Sequence, residues 1–307
     1  MPYVPTELLG CVVFLGYEDE AGKEQFVGSA FWVARLGPED IKKEYRPTYL
    51  VTAAHVINGI RAKAPSRRVL VRVNTRGGGQ KWHATPLDCW RSHPDERVDI
   101  AVFKMDLVGQ NWDHFAWGAE AFVNSQSAAD DGGRAIGHGD DVVVAGLFYL
   151  HTGEQRNIPI VRVANVAALR GEPVLDMDAY LVECHSIGGH SGSPVFYDVY
   201  ATKNAFVGES RAVKTMVKWR LLGVMHGHFD FPDVALDVVV EDSKEKIAIN
   251  SGIAIVIPAE KIVEALDTFK DEEAKEAERF RMKKRSYMIP DKLDEPPPTE
   301  VRVGAER

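Results

Sequence analysis

Up to about residue 258 the chain alternates short apolar runs with turn residues. The runs include Cys11–Leu15, Tyr49–Val51, Val69–Val73 and Ile100–Phe103. Later ones are Val142–Ala145, Ile160–Val163, Ala179–Val182, Leu221–Met225 and Gly252–Val256. They have strand length and are rich in β-branched residues, and many of them at short intervals predict barrels or a sandwich. None approaches the roughly 20 apolar residues of a membrane-spanning helix. Gly77-Gly78-Gly79 lacks the Lys-Ser/Thr of a phosphate loop and reads as a hairpin turn. Residues Asn124 to Asp141 are small, polar and glycine-rich, which suits a linker between two halves. Beyond Pro258 the period changes: Ile262, Val263, Leu266 and Phe269 recur at helical spacing. That predicts a helix on the second half, extended by the charged stretch Lys270 to Arg285. The remainder, with Pro296-Pro297-Pro298, reads as a flexible tail. The expected division is 1–125, a linker 126–141, 142–258, a helix 259–285 and a tail 286–307.

The chemistry concentrates in Gly188-Gly189-His190-Ser191-Gly192-Ser193-Pro194. A serine hydroxyl is a poor nucleophile until a base takes its proton, and the base needs an acid to orient it. Thr52-Ala53-Ala54-His55 places a histidine at the end of an apolar strand, and Asp99 directly precedes Ile100-Ala101-Val102-Phe103. Asp95 and Asp106 compete for the acid's role, but only Asp99 leads straight into an apolar run that can hold it rigidly.

With Gly28-Ser29-Ala30-Phe31-Trp32-Val33, these segments give the chain a resemblance to trypsin-like, chymotrypsin-fold serine proteases of the bacterial type. The resemblance covers about residues 8–268, and its order is histidine, aspartate, serine. It implies an all-β fold of two six-stranded antiparallel barrels with the active site in the cleft, followed here by a C-terminal helix. It implies Ser191 as nucleophile, His55 as general base, Asp99 as orienting acid, and the N–H groups of Gly189 and Ser191 as oxyanion hole. It also implies that His185, six residues before the nucleophile, lies at the base of the specificity pocket, with His226 and His228 along its wall. His226 has a second expected place, behind Asp99, where the family often carries a serine. Two residues depart from the pattern. His190 stands where digestive members carry an aspartate that pairs with a new N-terminus, so activation by N-terminal cleavage is not expected. Ser193 replaces a glycine.

Composition narrows the rest. A formal charge of −8 over 307 residues argues against general nucleic-acid affinity. Three widely spaced cysteines, Cys11, Cys89 and Cys184, do not form a disulfide framework and point to a reducing compartment, with the cytoplasm as default. The N-terminus has no basic region before Leu8–Tyr17, which reads as a first strand rather than a signal peptide. Despite ten histidines, no Cys-x-x-Cys or His-Glu-x-x-His element is present, so neither metal nor cofactor is expected. The expected partner is a polypeptide substrate. The charged C-terminal helix, with Lys283-Lys284-Arg285, is a candidate surface for a protein partner, although a solvated helix end is the simpler reading. The expected function is a serine endopeptidase; the alternative is a catalytically weak or partner-gated binding or regulatory protein on the same fold.

Overall fold

The computed structural model describes residues 4–42, 44–107, 110–123, 135–185, 188–199, 219–231 and 249–288. Most of the linker, and the tail beyond 288, therefore lie outside the described residues.

The first half opens with a short helix, α1 (Thr6–Leu9), and builds one sheet. Its strands are β1 (Val12–Glu18), β2 (Glu24–Ala34), β3 (Thr48–Thr52), β4 (Arg68–Thr75) and β5 (Gly79–Pro86), then β6 (Arg91–Ser92), β7 (Ala101–Met105) and β8 (Trp117–Gly118). The order is β5-β4-β1-β2-β3-β7-β6, with β8 parallel to the end of β2 and every other pairing antiparallel. The second half is a closed six-stranded barrel. It comprises β9 (Asp141–Gly146), β10 (Ile160–Ala168), β11 (Tyr180–Glu183), β12 (Pro194–Asp198), β13 (Trp219–Phe231) and β14 (Ile249–Pro258), in the order β10-β11-β14-β13-β12-β9. The architecture is consistent with a chymotrypsin-like two-barrel fold. The first half is the less regular: seven strands on a path ending at β5 and β6, with β8 off it, rather than six in a ring. At the two ends of that path, β5 is half-buried and β6 has only two residues.

The continuous apolar runs have a structural cause. Along β1, Val13 and Leu15 enter a core inside the first half with Trp32, Leu50, Ile57 and Val71, while Val12 and Phe14 face a second core. That second core joins the halves through Phe31, Val51, Val143, Phe196 and Leu221. A strand buried on both faces has no polar side to alternate. The third core, with Val144, Val182, Val195 and Val256, fills the barrel.

The expected strand end at His55 is corrected. β3 stops at Thr52, and Ala54–Lys63 forms a helix, α2, burying Ala54, Val56, Ile57 and Ile60. His55 stands in its first turn.

After β14 the chain turns directly into α3 (Ala259–Leu266), which places Ile262, Ala265 and Leu266 in the core shared by the two halves. It touches β13 and β14 of the barrel but also β7 of the first half. A 3-10 turn at Asp267–Phe269 leads into α4 (Lys270–Met288). The helix expected on the second half packs there through α3, while its charged extension α4 lies across the first half, where it meets opposite charges. Arg35 bonds Asp267 at 3.0 Å and Lys104 bonds Glu276 at 2.6 Å, while Arg91 pairs with Glu272 and lies over the Phe269 ring. Near the far end Arg281 bonds Asp40 at 2.7 Å, and Lys284 of the basic cluster bonds Glu44 at 2.8 Å. Exposed pairs contribute at most about 1 kcal/mol each, so the buried Phe269 and Ala277 carry much of the docking. All three cysteines are free. Among the described residues no helix is long and apolar enough to cross a membrane.

Candidate active site

The Ser191 loop is stitched to both halves by its own backbone. Ser29 of β2 donates its N–H to the Ser191 carbonyl at 2.9 Å, and Gly192 donates to Met225 of β13 at 2.8 Å. Met225 donates back to Ser193 at 2.9 Å, and Ser193 donates to His190 at 2.9 Å. The buried Ser29 hydroxyl adds a bridge: it donates to the Gly189 carbonyl and accepts the Leu147 N–H, both at 2.9 Å. Thr52 Oγ1 in turn donates to the Ser29 carbonyl at 2.7 Å. The Gly28-Ser29 and Thr52-Ala53 segments thus brace the Ser191 loop. The sequence shows them as a motif, but nothing in it says where the Ser29 hydroxyl points.

Gly189 and Gly192 have φ of 96° and 81°, the left-handed region open to glycine. At Gly192 an added Cβ would stand 2.2 Å from both the Ser29 carbonyl oxygen and Thr52 Oγ1. Gly192→Ala should therefore displace the loop, and any acylation of Ser191 should slow by about 10²-fold, the usual cost of a misplacement near 1 Å. Acylation rates for this variant and for Gly171→Ala, where a Cβ meets nothing within 4 Å, check this. Equal rates would contradict it.

His55 and Asp99 are joined twice. The His55 backbone N–H donates to Asp99 Oδ1 at 2.8 Å, and its ring Nδ1 meets Oδ2 at 2.6 Å. Helix α2 supplies the first donor, because an N–H in a first turn has no partner within its helix. Burial pushes the Asp99 carboxyl up, but hydrogen bonds from His226 and His55 outweigh this and hold it well below the usual carboxylate range. His226 Nδ1 lies in very short contact with the same Oδ2, and the two imidazole rings meet edge to face with centroids 5.2 Å apart. Of its two expected places, His226 thus occupies the one behind Asp99.

Ser191 sits beside this cluster without completing it. Its Oγ donates to the His226 backbone carbonyl at 3.0 Å, and no Ser191–His55 hydrogen bond is formed. Among the described residues the N–H groups of Gly189 and Ser191 donate to no protein acceptor, which leaves both available to an incoming oxygen. The other pocket candidates lie apart: His185 is exposed beside Gly252, and His228 lies farther along β13, near His190. Ser193 is fully buried, and the residue facing it is Gly146, where a Cβ would stand 2.0 Å from its Oγ. The glycine missing at 193 is thus matched by one across the barrel. His190 is fully buried; burial, aided by Arg162 and His228, pushes its imidazole down to about 4.

No family model matches the chain, and no curated protein does. Among solved structures it is similar to human heparin binding protein, at 8% identity and a TM-score of 0.43, over 88% of this chain and 94% of that one. An atomic-resolution structure described as HBP matches at 8% identity and a TM-score of 0.46, over 88% and 95%.

Proposed function

We propose that the protein is a trypsin-like serine endopeptidase. The observation that carries this is the double grip of Asp99 on His55 beside a glycine-shaped serine turn. Asp99 fixes the imidazole with its proton on Nδ1, leaving Nε2 free to accept. Ser191 rotates from the His226 carbonyl to His55, gives its proton to Nε2, and bonds through Oγ to the substrate carbonyl carbon. The resulting oxyanion is held by the Gly189 and Ser191 N–H groups, each worth about 3 kcal/mol in the transition state. His55 then protonates the leaving amine, and water, deprotonated by the same ring, releases the acyl group. Catalytic hydrogen bonds commonly tighten only once substrate is bound, so the unformed Ser191–His55 bond is compatible with this reading.

The Ser191–His226 bond favours one alternative, a partner-gated or catalytically weak protein whose serine is held off its base. A fluorophosphonate probe separates the two. Covalent labelling of the purified wild type, dependent on Ser191, supports the enzyme. A folded wild type that never labels supports the alternative.

A further inference from the structure

The pair of imidazoles on Asp99 goes beyond what a proton relay needs. A single histidine completes the relay, yet His55 Nδ1 and His226 Nδ1 both point at Asp99 Oδ2, and the three donor atoms all lie within 4.8 Å of one another. We propose that His55, Asp99 and His226 form an inhibitory binding site for a divalent zinc-class cation.

Two imidazole nitrogens and a carboxylate oxygen, with a fourth position left to water, are a donor set that suits Zn²⁺. Zinc–ligand bonds of about 2.0–2.2 Å place tetrahedral ligands roughly 3.3 Å apart. The present 2.6 Å between His55 Nδ1 and Asp99 Oδ2 therefore needs to open by less than about 1 Å, within reach of a carboxylate rotation. The donors come from α2, the turn before β7, and β13, elements fixed by separate pairings, so the cluster exists before the metal arrives. His55 is 45% exposed at its side chain, which leaves an entry path. Positions 55, 99 and 226 are too far apart in sequence for any short ligand motif to reveal them.

The inhibition rests on the proposed endopeptidase, whereas the binding does not. On coordination each ring keeps one proton, moved from Nδ1 to Nε2, and the metal takes the Nδ1 lone pair. His55 Nε2 then carries a hydrogen and cannot accept the Ser191 proton, while Asp99 is occupied by the cation. The Ser191 hydroxyl already has its partner for this state, the His226 carbonyl.

The test is titration of the full-length protein with Zn²⁺ against a chromogenic chelator, beside fluorophosphonate labelling. Wild type and Ser191→Ala should each take up one Zn²⁺, and His226→Ala should bind it at least tenfold more weakly. Labelling of wild type should stop with zinc and return with EDTA. A cobalt titration of unaltered protein should give the visible band of a tetrahedral nitrogen–oxygen site, independent of whether His226→Ala folds. Zinc uptake unchanged by His226→Ala in a folded variant, or no uptake by wild type, overturns the proposal. Uptake that depends on His226 in a protein that never labels keeps the metal site and removes the endopeptidase. Labelling indifferent to zinc, with His226-dependent uptake intact, overturns the inhibitory role and keeps the metal site.

Discussion

Ser191→Ala is expected to lower turnover by about 10⁶-fold with the melting temperature unchanged, and Asp99→Asn by about 10⁴-fold, the scale set by serine enzymes with a histidine–acid pair. In the proposed mechanism the first loss follows from removing the atom that becomes the ester oxygen; what survives comes from the backbone N–H groups of residues 189 and 191 acting on substrate and water. The second is a tautomer effect. The asparagine oxygen can still accept the His55 backbone N–H, now held at 2.8 Å. Its amide nitrogen then faces Nδ1 and donates to it, so the ring proton moves to Nε2, where it blocks transfer from Ser191. Asp95→Asn is the control: Asp95 is bound to Arg97 at 2.7 Å and makes no contact with His55. It should stay within about threefold of wild type. Turnover of a peptide substrate by the three variants checks this. Asp99→Asn within tenfold of wild type would show that another group orients the base.

What the sequence made legible was whatever depends on local pattern. The glycine-bracketed serine announced a tight turn because only glycine accepts the φ values found at Gly189 and Gly192. The apolar runs of β1, β3, β9 and β13 announced strands because both of their faces are buried, whereas Ile160–Val163 in β10 leaves Val161 and Val163 exposed. Helix α2 stayed hidden because its buried face, Ala54, Val56, Ile57 and Ile60, follows without a break from an apolar strand. The docking of α4 stayed hidden because its charges read as solvated until Arg35, Lys104, Asp40 and Glu44 come to face them. Position 226 is an intermediate case. Family analogy left it two places, and only the register of β13 against β14, with its irregularity between Met225 and Gly227, sets the ring against Asp99.

Acid is expected to weaken the fold through His190. Its ring is fully buried, neither nitrogen has a hydrogen-bond partner among the described residues, and Arg162 and His228 add positive charge nearby. The imidazole is pushed down to about 4 in the folded chain, against about 6.5 when unfolded. The folded state thus refuses a proton that the unfolded state takes up. The sign follows for this one group: its destabilising contribution is absent above about pH 6.5, grows as pH falls from 6.5 toward 4, and levels below that, where protonation of carboxylates held low in the fold, Asp99 among them, goes on weakening the structure. A displacement of this size corresponds to roughly 3 kcal/mol by linkage. Half-buried His83 and His114 are pushed down as well and share part of the window, so the informative quantity is a difference between proteins. His190→Leu removes the titrating group and two unpaired nitrogens while keeping an apolar side chain in the site. Its melting temperature should fall by several degrees less than that of wild type between pH 7 and 4.5. Parallel melting curves for the two proteins would place the acid sensitivity elsewhere. A neutral, buried residue at this position also has no charge to offer a newly cut N-terminus, so proteolytic trimming of the first residues should leave the labelling rate unchanged.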